Sequence, residues 1–260
     1  ILKRSYLNCR AMSHSRLMAE LYARGDMPHP IEITLESCPT FPGKYNTVHR
    51  GNEILLTSSL EFGRTVFPEF ASFSDKERWD IVVDFFYRFR SIEGCLRANE
   101  KFPGHPDRFE TIFHLSNNVF RIDSSATSLP TSVLTSLTTF SRINSKRVGD
   151  VIAARVMMQR FDPMHEEFLA IVGMMFWSIG DVVVSEEIRS IAQGYRTQIL
   201  RELHSFYREE LQLDNYATRL GELLLFLQVF EIKYEYREHF ELLRLLNLIN
   251  DDNCVYRMQK

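Results

Sequence analysis

Apolar positions recur along most of this chain at intervals of three and four residues, the spacing of one face of an α-helix. From Arg4 to Arg24 the positions Leu7, Ala11, Leu17, Leu21 and Tyr22 share one side, and Gly25-Asp26 ends that run. Residues 25–50 hold Pro28, Pro30, Pro39, Pro42 and Gly43 and no sustained period, so a long loop is expected there. A helix is predicted from Glu53 to Val66, stopping before Phe67-Pro68. Ser74-Asp75-Lys76-Glu77 opens the next with the serine–glutamate spacing of a capping box. Beyond it Trp79, Val82, Val83, Phe86, Phe89 and Ile92 recur at helical spacing, while Ile81 and Phe85 fill the other side. A helix apolar nearly all round belongs in the middle of a protein.

The period is then lost. Phe109, Ile112 and Phe113, followed by Val119 to Ile122, predict a short β-hairpin with Asn117-Asn118 near its turn. A Ser/Thr-rich connector covers 126–139. Helices resume at Asp150 to Arg160 and His165 to Ser178, the second again apolar on most faces. Ser185 caps another, with Glu186 and Glu187 suited to the positive end of the helix dipole. A last long helix opens near Asp214-Asn215 and carries Leu220, Leu223, Leu224, Leu227, Phe230 and Tyr234. Two helices buried on every side need further helices above and below, so the pattern predicts an all-α, three-layer helical sandwich with one hairpin.

Composition narrows the function more than the fold. The 260 residues are 45% hydrophobic, enough for one large core. Lys plus Arg is 31 and Asp plus Glu 34, which leaves no excess positive charge to release counterions from a phosphate backbone. Cys9, Cys38, Cys95 and Cys254 contain no CxxC pair, so no zinc module is expected within the chain. The longest apolar run, Phe168 to Gly180, falls short of the roughly 20 residues that a bilayer requires. The first residue is Ile1, as expected of a piece of a longer protein.

Catalytic signatures are missing. His165-Glu166-Glu167-Phe168-Leu169 starts like a zinc-protease HExxH but has Leu169 where the second histidine belongs. No GxSxG, GxxxxGK[ST] or GxGxxG occurs. Two LxxLL strings, Leu220 to Leu224 and Leu242 to Leu246, read either as helices that dock in a partner's groove or as part of a leucine core stripe.

The segment from Phe67 to Val82 resembles the signature that joins helix 3 to helices 4 and 5 in the ligand-binding domains of nuclear receptors. Phe73 stands at its leucine, Glu77-Arg78 at its Asp-Gln and Ile81-Val82 at its leucine pair. Tyr216 to Leu227 is similar to the start of the family's dimerisation helix, and Ser185 to Leu213 to the helix before it. In style the chain is most similar to the divergent receptors expanded in nematodes.

The resemblance implies an antiparallel sandwich of about 10–12 helices. It places a first helix after the hinge at 1–24, a long loop at 25–50 and the rest of a single ligand-binding domain at 51–260. It implies a nuclear, non-enzymatic regulator without membrane contact. DNA and zinc would be bound only by a domain outside this chain, which itself holds no cofactor. A small lipophilic ligand, a fatty acid for example, would meet Arg97, Phe86, Phe89 and Ile92, unless the protein is an orphan. On the residues alone Arg97 either snorkels to solvent or holds a carboxylate, and the three apolar positions suit a core as well as a pocket. Co-regulators would dock at Arg64, Arg78, Trp79 and Val82, with Arg64 in place of the family's lysine. Near the C-terminus Arg257 stands where the family's clamp glutamate is expected, which favours a constitutive or repressive mode. A homo- or heterodimer partner would meet Arg219, Leu220, Leu223, Leu224 and Leu227. The alternative is a ligand-free helical adaptor on the same fold.

Overall fold

In the computed structural model, the residues described are 45–101, 152–180 and 182–230, three short strands, and positions 4, 6, 7, 16, 103 and 104. Helix α1 spans Tyr45–Val66, a 3-10 turn Pro68–Ser72, and α2 Asp75–Lys101. Strand β1 (Phe41–Pro42) precedes α1, and β2 (Glu110–Phe113) and β3 (Asn118–Arg121) follow α2. Helix α3 covers 152–161, α4 His165–Phe176, α5 Glu186–Ser205, a π-helical turn Phe206–Glu210, and α6 Ala217–Val229.

The start of α2 is fixed as its sequence predicts. Ser74 Oγ accepts from the Glu77 amide at 3.3 Å, and the Ser74 amide donates back to Glu77 Oε2 at 3.0 Å. The Ser74 hydroxyl also donates to Glu77 Oε2 at 2.6 Å, and this bond first, then the one from the amide, holds the Glu77 carboxyl below its ordinary value. At α5 the Ser185 side chain accepts from the Ile188 amide. The hairpin strands pair antiparallel, Glu110 opposite Arg121 and Phe113 opposite Asn118. In two places the predicted loop at 25–50 is corrected. Phe41–Pro42 pairs parallel with β3, and α1 begins at Tyr45, ahead of Glu53. The helix-poor look of Tyr45 to Asn52 came from its polar residues, which tolerate a helical turn without announcing one.

Layering follows from which helices touch. Helices α2 and α4 pack on each other, α1 covers α2, and α5 and α6 cover α4. In α4 every residue from Glu167 to Phe176 is buried. Phe176 is the hub: its ring centroid lies 4.9 Å from Phe67, 5.1 Å from Phe85 and 5.2 Å from Phe70. Stacked and edge-to-face contacts of this kind add to the area term of burial. Tyr6 joins the same core through Phe89 and Phe168, which ties an N-terminal position to α2 and α4.

Gly63 on α1 allows this closeness. A Cβ there would lie 2.6 Å from Phe176 Cζ and 2.8 Å from Phe70 Cε1, and both rings are wholly buried. Gly63→Ala gains about 1 kcal/mol of helix propensity and loses about 1–3 kcal/mol to overpacking. We expect a net loss in urea denaturation. A variant as stable as the parent would show that the rings can move aside.

Candidate functional site

Where α1 ends and α2 begins, the chain makes a groove of about 500 Å³. One wall is the last turns of α1, with Leu60 and Arg64 a helical turn apart on one side. The other wall is the first turn of α2, with Asp75, Lys76, Arg78 and Trp79. The 3-10 turn sets their separation, because Phe67 and Phe70 are buried beneath it and the Phe67 amide donates to the Gly63 carbonyl at 3.0 Å. Arg78 braces the turn, donating to the Ala71 carbonyl at 2.6 Å and pairing with Asp75. Trp79 is half-buried against the core and Leu60 partly so, giving an apolar floor under a charged rim.

Of the residues expected in a co-regulator groove, Arg64, Arg78 and Trp79 come together here. Val82 does not: it is fully buried, one helical turn behind the floor, and is corrected to a core residue. Lys76 and Leu60 were not anticipated. The alternation of a capping sequence hides Lys76 as one more first-turn polar residue, and Leu60 reads only as part of the α1 stripe.

The residues expected around a ligand lie elsewhere on α2. Phe86 and Ile92 are fully buried and Phe89 nearly so, stacked 5.0 Å from Phe85. Arg97, further along the same helix, is also buried, and its Nη1 donates to Glu100 Oε2 at 3.1 Å. Neighbouring polar groups tie α2 to α3: Arg155 Nε donates to Asn99 Oδ1, and Asn99 Nδ2 to the Arg155 carbonyl, both at 3.1 Å. Arg88, also buried, donates to the Ser178 carbonyl at 2.8 Å and pairs with Asp84. Arg88 stands in an otherwise apolar run, and that oddity was a legible sign of a buried pair.

The residues expected at a dimer face divide. Leu224 is 42% exposed, Leu220 and Leu227 are half-buried, and Leu223 is completely buried. Leu223 is therefore corrected to core, and the first LxxLL string is split between the core stripe of α6 at Leu223 and its exposed side at Leu224. Residues 231–240, the rest of the expected dimer helix, and Arg257 lie outside the described residues.

Arg219 is corrected as well. Its guanidinium turns inward, with Nε 2.7 Å from Glu167 Oε1 and Nη2 2.6 Å from Glu167 Oε2. It also donates to the Phe161 carbonyl at 2.7 Å and the Asp162 carbonyl at 3.0 Å, and lies over the Phe161 ring. Asp162 takes a positive φ of 45°, which an aspartate tolerates, and this turns the carbonyls between α3 and α4 toward the arginine. Tyr207, carried inward by the π turn, donates to Glu167 Oε1 at 2.6 Å, and the Met164 amide donates to Oε2 at 2.8 Å. Burial raises the Glu167 pKa, but the bonds from Arg219, Tyr207 and Met164 outweigh it and leave the group below its ordinary value. Burial first, and then Glu167, push the Tyr207 phenol well above its ordinary range.

A second, polar depression of about 390 Å³ lies beyond the π turn, lined by His204, Arg208, Gln212, Leu213, Asp214 and Tyr216. Among the described residues no group of three His, Cys, Asp or Glu side chains could hold a metal ion. Among them, too, no helix is long and apolar enough to cross a membrane.

The family model for the ligand-binding domain of nuclear hormone receptors matches residues 45–246. No curated protein matches the chain.

Proposed function

This chain belongs to the family of nuclear hormone receptor ligand-binding domains, and on that premise we propose that it is a nuclear, non-catalytic regulator that works by docking co-regulator helices in the groove between α1 and α2. Members of the family bind and regulate rather than catalyse. The observation that carries the reading is the groove itself: an apolar floor of Leu60 and Trp79, open to solvent and rimmed by charge, at the junction of two helices. A short amphipathic helix laid there removes the floor from water and keeps its own polar face exposed.

Trp79 is the expected anchor, since truncating a central aromatic in such a groove costs about 2 kcal/mol or more. We expect Trp79→Ala to weaken a fluorescein-labelled leucine-rich helical peptide about 30-fold in anisotropy titrations, with the circular dichroism spectrum unchanged. Unaltered affinity would count against the groove.

A small lipophilic ligand near Arg97 is the second strand of the reading, and a ligand-free adaptor its alternative. Arg97 is supported as a head-group residue by its burial, while its pairing with Glu100 supports the adaptor. Neither described depression is lined by Phe86, Phe89, Ile92 or Arg97. Native mass spectrometry of the purified chain decides between them. A bound lipid of defined mass favours a ligand, and an apo mass that persists after incubation with a fatty-acid mixture favours the adaptor. For pairing with a second subunit, the exposed Leu224 and Leu225 are the positions that support a face on α6.

A further inference from the structure

The rim of the groove is charged unevenly. Arg64 on the α1 wall and Lys76 on the α2 wall are both exposed, and neither has an ion-pair partner among the described residues. Among the described residues Asp75 is the one carboxylate in the lining, and Arg78 holds it in an ion pair. Glu77, which feels Lys76, is bonded to Ser74 through its backbone amide and hydroxyl. One cation without an ion pair among the described residues therefore stands on each wall, and the carboxylate that lines the groove between them is engaged by Arg78. We infer that the groove selects a partner helix flanked by acidic residues, with Arg64 and Lys76 each meeting a carboxylate. The inference rests on the groove being the docking site, and adds the charge of what docks.

The size of the effect follows from exposure. Rim charges of this kind contribute modestly to affinity and act strongly on the association rate. Two together give about tenfold in affinity at low salt. Burying the floor supplies the remainder of the binding and does not depend on the sign of the flanks.

The test uses the full 260-residue chain and three synthetic 15-residue peptides with one Leu-x-x-Leu-Leu core. Their flanks are glutamate, glutamine or lysine. In anisotropy titrations the glutamate peptide is expected to bind about tenfold tighter than the glutamine one, with the gap closing as salt rises from low to several hundred millimolar. The double variant R64E/K76E is expected to reverse the order, preferring the lysine peptide. Both sites are exposed, so the variant keeps its fold, and matched thermal unfolding confirms that. Equal binding of glutamate and glutamine peptides overturns the charge selection while leaving the groove in place. A double variant that keeps the parent's preference does the same, because other charges would then be responsible. Failure of every peptide to bind overturns the groove reading and this inference together.

Discussion

Arg219→Ala is expected to lower the stability of the domain by about 3–5 kcal/mol, the usual consequence of removing one partner from a buried ion pair. Glu167 is fully buried, and the arginine supplies two of its hydrogen bonds. Without it the carboxylate keeps only Tyr207 and the Met164 amide, and the Phe161 and Asp162 carbonyls lose a donor. In a domain of this size the loss corresponds to roughly 10 °C in Tm. The pH dependence separates this mechanism from simple loss of packing. Folding holds the Glu167 pKa below its ordinary value of 4.5, so its contribution is present above that pH and is lost as pH falls through the folded value. In the variant, burial dominates and raises the pKa, so protonation relieves part of the penalty as pH falls. The gap in Tm between parent and variant should thus be widest near neutrality and narrow toward pH 4. A gap independent of pH would show that the guanidinium acts by packing on Phe161, not by its charge.

This role also separates two readings of one residue. Had Arg219 been a contact for a second subunit, alanine would change the mass in sedimentation at constant stability. Here the expected change is in stability, and Leu224 and Leu225 are the substitutions that probe pairing.

The elements that were legible in the sequence are those specified by local chemistry. Ser74 with Glu77 and Ser185 with the Ile188 amide fix two helix starts through bonds within one turn, and no distant residue is needed to see them. The all-round apolar character of α2 and α4 likewise announced a middle layer. A helical period says which residues share a face, but not what covers that face. Val82 and Leu223 shared faces with Trp79 and Leu224 in the sequence, and depth in the fold separated them. Arg219 and Glu167 are far apart in sequence, and Glu167 reads as an ordinary first-turn carboxylate until the π turn brings Tyr207 to it. The π turn itself has no sequence marker among Phe206 to Glu210 that we can identify. Arg64, Arg78 and Trp79 were legible as a group because the resemblance assigned them together; Lys76 was not, although it lines the same groove.

Phe176→Ala is expected to cost about 3–5 kcal/mol, as truncation of a fully buried aromatic does when the cavity cannot collapse. Collapse is hindered here because its neighbours come from three separate segments: Phe62 and Gly63 on α1, Phe67 and Phe70 around the 3-10 turn, and Phe85 on α2. Each is held by its own helix, so none can move into the void without dragging backbone with it. Phe67 and Phe70 are also the residues that anchor the turn between the two walls of the groove. The substitution should therefore weaken docking even where the domain remains folded, through wall spacing and not through lost contact, since Phe176 does not line the groove. Urea denaturation gives the first quantity, and anisotropy with the glutamate-flanked peptide at low temperature gives the second. Met164→Ala, a half-buried position away from the turn, serves as the comparison. A Phe176→Ala protein that is strongly destabilised yet binds with the parent's affinity would show that the turn holds its shape without the ring, and that Arg78's bond to Ala71 is sufficient to set the groove.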